Sequence, residues 1–208
     1  MAITRDGVVD WMRRFAGEMG EHRQELVRLD TAIGDGDHGT NMDRGMKKAL
    51  ERLDAAEQAD PGVVLKTVAM ALVSSVGGAA GPLYGTLFLQ MGTALSGQEE
   101  VDLAGWTDAW RKGLEGVQAR GKAEREDKTM VDALIPAIEA MESASDLDEG
   151  LRAAAKGAEE GMRATTPLVA RKGRASYLGE RSKDHQDPGA TSTYYLFKSA
   201  EEALAGSG

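Results

Sequence analysis

The sequence predicts an all-α fold, on three observations. Aromatic residues make up only 5% of the 208 residues while Ala, Leu and Met abound, a balance that favours helices over strands. Apolar residues recur at helical spacing in one stretch after another. No stretch alternates apolar and polar residues over the length of a strand.

Eight helical stretches follow from this reading. Helix one covers about residues 5–29, with Val8, Met12, Phe15, Met19, Leu26 and Leu29 forming its stripe. Helix two, about 40–55, places Met42, Met46, Ala49 and Leu53 on one side. Helix three, about 61–76, opens on Asp60-Pro61, and helix four, about 81–96, on Gly81-Pro82; an early proline suits a first turn. Helix five, about 102–120, carries Leu103, Trp106, Trp110, Leu114 and Val117. Helices six, seven and eight cover about 128–143, 147–164 and 188–205, with Asp127 and Asp187 as the expected N-caps of six and eight.

No composition break divides the chain, so residues 1–208 read as one domain. At 41% hydrophobic and 28% charged, the composition is that of a folded protein. The absence of cysteine excludes disulfides and thiolate metal sites. The opening MAITRDGVVDWMRRF carries charges where a signal peptide needs an apolar core, and no apolar run approaches a membrane span. The expectation is a soluble, cytoplasmic protein without a membrane partner. A net charge of -9 argues against nucleic acid as the main partner, though a local site can still take a nucleotide.

The unusual residues fall between the helices. Gly34-Asp35-Gly36-Asp37-His38-Gly39 joins helices one and two, and Gly77 to Pro82 joins three and four. Gly121 to Thr129 joins five and six, and a basic segment from Thr165 to Gln186 joins seven and eight. If successive helices run antiparallel, as short connections favour, all four loops share one end. The N-termini of helices two, four, six and eight then meet there, and their free N–H groups and dipoles make an anion-binding face.

Asp30, Asp35 and Asp37 are brought together by glycines at 34, 36 and 39, which allow sharp turns. Converging carboxylates repel unless a hard cation joins them, and all-oxygen ligation suits magnesium, manganese or calcium. An EF-hand is a poor match: counting from Asp35, position six is Thr40 and position twelve is Met46. A magnesium ion bridging to phosphate fits better. The Gly77–Pro82 loop has the make-up of a phosphate cradle without a Walker motif, although its glycines also suit close helix packing. Arg174, in the long basic loop, is the candidate clamp for transferring phosphate oxygens. His38 lies inside the aspartate loop and is a candidate phosphate contact. His22, on the helix-one stripe, reads as an edge-of-core residue, and His185 stays open. Lys128 and Thr129 are placed to meet phosphate or ribose, though capping alone accounts for the threonine. No Ser-His-Asp arrangement is legible. Phosphoryl transfer needs none, because it depends on positioning and charge stabilisation. The residues describe a donor site and no acceptor site.

Four segments carry a resemblance: LDTAIGDGDHGTNMDRG, SSVGGAAGPLYGTLF, RGKAEREDKTMVDALIPA and ARKGRASYLGERSKDHQDPGATS. In order and spacing they resemble the signature blocks of the dihydroxyacetone kinase L subunit, or the equivalent domain of single-chain kinases. The resemblance implies a barrel of eight antiparallel helices with ADP or ATP at one end, and two Mg2+ ions on Asp30, Asp35 and Asp37. It implies nucleotide contacts from His38, Gly39, Thr40 and Asn41, from Ala79 and Ala80, and from Gly121, Met130 and Arg174, with Asp187, Pro188 and Gly189 completing the pocket and Thr129 beside Met130. It also implies a partner K subunit holding a short ketose, to which the γ-phosphoryl group passes. In phosphotransferase-driven systems of this kind a third subunit rephosphorylates bound ADP. Two departures stand out. Ala80 replaces the family's serine in Gly-Gly-Ala-Ser-Gly, and Arg125-Glu126 replaces a Pro-Gly turn. A tetrose such as erythrulose is the alternative acceptor, and a nucleotide-sensing interaction or regulatory protein is the alternative of another class.

Overall fold

The computed structural model describes residues 2–55, 57 and 59–206. It is mostly helical. In chain order the elements are β1 (Ile3–Thr4), α1 (Arg5–Glu21), α2 (Arg23–Ile33), α3 (His38–Ala55), α4 (Pro61–Ser75), α5 (Ala80–Ala94), β2 (Glu100–Val101), α6 (Leu103–Gly121), α7 (Val131–Glu142) and α8 (Leu147–Ala164). A 3-10 helix (Arg174–Ser182) and α9 (Pro188–Leu204) complete the chain.

Helix starts follow the polar chemistry of the preceding residue. The Asp60 side chain accepts from the Val63 amide at 2.9 Å, with Pro61 in the first turn. Asp102 and Asp146 do the same for α6 and α8. At α9, Asp187 accepts from the Ala190 amide at 2.7 Å, as expected of it.

Sequential helices pack side by side from α3 through α9, and α9 and α3 both pack against α1, so the set closes on itself. Neighbours run in opposite directions. Gly62 at the start of α4 lies against Gly92 near the end of α5, and Gly7 at the start of α1 meets Leu204 at the end of α9. The tightest approach is α7 on α8. Pro136 inside α7 has no N–H to give the Asp132 carbonyl, and that carbonyl lies against Gly161, where any Cβ would collide with it. The core between the helices is built on Trp11, Trp106, Trp110, Phe88 and Phe197, all at most 1% exposed, with the Trp110 and Phe197 rings stacked at 4.2 Å.

Four sequence expectations are corrected here. The first predicted helix is two helices, broken at His22 (φ -91°, ψ 10°), whose ring stacks on Tyr195 at 4.1 Å and whose Nδ1 lies 2.9 Å from Glu25 Oε2. Helix six starts at Val131 rather than 128, and Asp127 is not its cap. The Asp127 carboxylate accepts from the Glu124 amide at 2.8 Å, while Asp132, one residue into α7, accepts from Thr129 N at 2.8 Å. The reason is backbone: Glu126 and Lys128 both take positive φ (69° and 62°), which turns the chain tightly before the helix. A short antiparallel pair, Ile3 with Val101 and Thr4 with Glu100, was invisible because two residues cannot show a period. The basic loop contains the 3-10 helix. Among the described residues, no helix is long and apolar enough to cross a membrane.

Candidate functional site

The four interhelical loops meet in one cleft. Its lining comes from Asp30–His38, Gly77–Tyr84, Lys128–Met130, Lys172–Ala175 and Asp187–Gly189. Helices α3, α5, α7 and α9 all begin there, so their positive ends face it. Ala79 precedes α5 with no side-chain cap, leaving the amides of that first turn for a ligand.

At one corner the carboxylates of Asp30, Asp35 and Asp37 each offer an oxygen, all within 4.8 Å of one another. Asp30 stands at the end of α2, buried at 8% exposure, and its Oδ2 accepts from the Asp37 amide at 2.9 Å and the His38 amide at 3.1 Å. Those two bonds wrap the loop around Asp30. The wrap needs Gly36 at φ 76°, where an added Cβ would also press on Thr31 Oγ1. Burial pushes the Asp30 carboxyl above its ordinary pKa, the two amides pull it back, and Asp35 and Asp37 add to the rise. Three carboxylate oxygens this close are a donor set that fits a hard divalent cation.

Arg174 reaches into the same corner, its guanidinium 2.9 Å from Asp35 Oδ2. Beside it, His38 Nε2 lies 2.8 Å from Ser192 Oγ, which in turn lies 2.8 Å from the Tyr84 hydroxyl. Burial lowers the His38 ring to about 4, with Asp35 opposing, so His38 is neutral at pH 7. Burial likewise raises Tyr84 to about 12. At the opposite wall Asp187 is raised to about 7, first by burial and further by Asp132 and Asp30, despite the Ala190 amide.

Of the residues picked out from sequence, Asp30, Asp35, Asp37, His38, Ala79, Ala80, Thr129, Met130, Arg174, Asp187, Pro188 and Gly189 all line the cleft. Four do not. Gly39 is packed against the α2 backbone at Arg23, and exposed Thr40 lies on an outer groove with Arg44 and Lys47. Asn41 is buried and accepts from Arg44 at 2.7 Å, while Gly121 lies behind Leu83, a residue of the cleft wall. Lys128 lines the cleft as well. Its side chain turns away from solvent at 1% exposure and donates to backbone carbonyls of the basic loop. His185 is exposed outside the cleft. Sequence reasoning missed Leu83 and Tyr84 as lining residues. Their helical register marks them as packing residues, and nothing local distinguishes a cleft wall from a core.

Together these features define a mostly helical protein with a carboxylate corner in a cleft where helix N-termini converge. The chain belongs to the DAK2 domain family, whose pattern matches residues 32–202. It is 43% identical over 202 residues to the "PEP-dependent dihydroxyacetone kinase, ADP-binding subunit DhaL" of Escherichia coli, covering 95% of this chain and 96% of that one. It is 40% identical to the "PTS-dependent dihydroxyacetone kinase, ADP-binding subunit DhaL" of Lactococcus lactis, covering 98% and 100%. An "L-erythrulose 1-kinase" of Mycolicibacterium smegmatis is 33% identical, with 95% of this chain matching 35% of that longer one. The fold is also that of part of the dihydroxyacetone kinase of C. freundii (TM-score 0.75, 23% identity, 96% of this chain and 35% of that chain). The same kinase has been solved in complex with AMP-PNP and Mg2+ (TM-score 0.73, 22% identity, 97% of this chain and 34% of that one).

Proposed function

We propose that this chain is the nucleotide-binding subunit of a dihydroxyacetone-type kinase, a phosphotransferase that holds ADP or ATP with magnesium and passes the γ-phosphoryl group to a short ketose on a separate K-type subunit. The observation that carries the reading is the carboxylate corner set beside an uncapped helix start and an arginine in one cleft. Near full-length likeness to ADP-binding subunits supports it. The helices then form a barrel of eight antiparallel members, α1 and α2 together counting as one, with the nucleotide at one end and residues 1–208 as a single domain.

In this reading Asp30, Asp35 and Asp37 would hold two Mg2+ ions, which would supply charge neutralisation for the nucleotide's phosphates. Amides at Ala79 and Ala80 and the α9 start at Asp187–Gly189 receive phosphate oxygens or the nucleoside, with Thr129 and Met130 as wall. His38, neutral and held by Ser192, offers a hydrogen bond without adding charge. Arg174 stabilises charge on the transferring group. Gly39, Thr40, Asn41 and Gly121 shape the elements behind these contacts. Because erythrulose kinases are among the relatives, the partner rather than this chain decides between triose and tetrose. The likeness to PEP- and PTS-dependent subunits favours a phosphotransferase-system donor that recharges bound ADP, and a cytoplasmic setting follows from that role.

Calorimetric titration of the purified chain with ADP and ATP, with and without Mg2+, tests the reading. Magnesium-dependent binding of one nucleotide per chain is expected, as is ketose phosphorylation once a K-type protein is added. No binding under either condition would sink it.

A further inference from the structure

Lys128 lines the cleft, and its ammonium is hydrogen-bonded to main-chain carbonyls. The residue is only 1% exposed, yet among the described residues no ion pair to a carboxylate involves it. All three of its protons go to backbone carbonyls instead: Ser182 at 2.7 Å, Leu168 at 2.9 Å and Thr166 at 3.3 Å. Burying a charge this way costs free energy unless the geometry repays it. The residue also sits in a left-handed backbone conformation (φ 62°), which a β-substituted residue adopts at a cost. Burial lowers its pKa, and the negative potential of Asp187 and Asp184 opposes that.

The three carbonyls are spread along the basic loop, two where it leaves α8 and one where it returns to α9. Neighbouring bonds fasten the same strands. Arg171 N donates to the Asp127 carbonyl at 3.0 Å, and Asp184 N donates to the Thr166 carbonyl at 2.9 Å. Ser182 Oγ accepts from Ala170 N at 2.9 Å and donates to the Gly179 carbonyl at 2.6 Å. Arg174 lies between the two fastened ends, after the positive-φ turn at Gly173. The loop's tip is otherwise open: Tyr177 is 87% exposed. The two ends of this loop are thus tied together through one ammonium.

We propose that Lys128 is a positioning residue that acts through Arg174, fixing the basic loop so that the guanidinium stands over the carboxylate corner when Mg·nucleotide binds. A tetrahedral ammonium suits three carbonyls arranged around one point, where a planar guanidinium does not. The inference rests on the nucleotide-site reading above.

The test is a double-mutant cycle on the full chain, with Mg·ADP affinity from calorimetry. Lys128→Met keeps the unbranched apolar stem and removes the ammonium. Lys128→Met and Arg174→Ala are each expected to weaken binding about tenfold, the scale of a lost charged hydrogen bond. In the Arg174→Ala background, Lys128→Met should change affinity less than about twofold, because its effect runs through the missing guanidinium. Additive losses would overturn the proposal, as would wild-type affinity in either single variant, since a merely structural anchor weakens binding whether or not Arg174 is present. A wild-type chain that binds no nucleotide would instead defeat the functional reading itself. If Lys128→Met does not fold, Ser182→Ala loosens the same loop from its own side, and the same non-additivity with Arg174→Ala is expected.

Discussion

The Arg174 guanidinium lies 2.9 Å from Asp35 Oδ2, so one carboxylate of the three-aspartate corner is paired with an arginine on a loop. In the proposed reading a bare magnesium ion and Arg174 would compete for Asp35. Arg174 is 63% exposed in this pair, and exposed ion pairs contribute about 0.2–1 kcal/mol. Arg174→Ala should bind Mg2+ alone roughly 1.5- to 5-fold more tightly, while binding Mg·ADP more weakly. A fluorescent-indicator competition for the free ion and calorimetry for the nucleotide complex would check the two signs. Weaker binding of the bare ion would mean the pair does not compete with metal.

The three aspartates are not equivalent, and substitution should separate them. Asp37 is exposed, so Asp37→Ala is expected to abolish magnesium-dependent nucleotide binding with little change in stability. Asp30 also satisfies the Asp37 and His38 amides. Asp30→Ala leaves both without that partner and should cost about 1–3 kcal/mol of stability besides the binding loss. Thermal unfolding in the presence of a chelator distinguishes the two, and equal melting temperatures would remove the wrapping role assigned to Asp30.

Most of the site's frame was legible because its signals are local. Asp30, Asp35 and Asp37 stand close in sequence among glycines, and Asp187-Pro188 reads directly as a cap and first turn. Asp127 was misread because its environment is decided by two positive-φ residues on either side, Glu126 and Lys128, which no propensity favours there. The break at His22 depends on Tyr195, far along the chain, offering a ring to stack on and a hydroxyl that donates to Glu25 at 2.7 Å. Lys128 read from sequence as a residue at a helix start that could meet phosphate or ribose. Its actual partners are carbonyls some 38 to 54 residues away, and main-chain acceptors leave no mark in a sequence.

Asp187 makes stability depend on pH in a defined direction. Its folded-state pKa of about 7 lies above the ordinary 3.8, so the native state holds the proton more firmly than the unfolded chain. Stability from this group is complete below about pH 4 and is lost as pH rises through 7. Asp187→Asn keeps an oxygen for the Ala190 amide and cannot ionise. The variant should therefore lose less stability than wild type between pH 5 and 8, measured by urea unfolding in chelator. Parallel pH profiles for the two proteins would show that the Asp187 carboxylate is not shifted upward.

Ala80 offers the most direct gain. It lines the cleft at the first turn of α5, where no side chain caps the helix, and the pattern this segment resembles has serine at that position. A hydroxyl there can donate to a phosphate oxygen, and a neutral hydrogen bond contributes about 0.5–1.5 kcal/mol. Ala80→Ser should then tighten Mg·ADP binding roughly 2- to 12-fold, chiefly through slower release, since the cleft is already formed and association is governed by its field. Stopped-flow dissociation of a fluorescent ADP analogue would report the change. An unaltered release rate would mean that the α5 amides already satisfy the phosphate and that the hydroxyl finds no partner, which places the nucleotide's phosphates nearer Asp187–Gly189 than Ala79–Ala80.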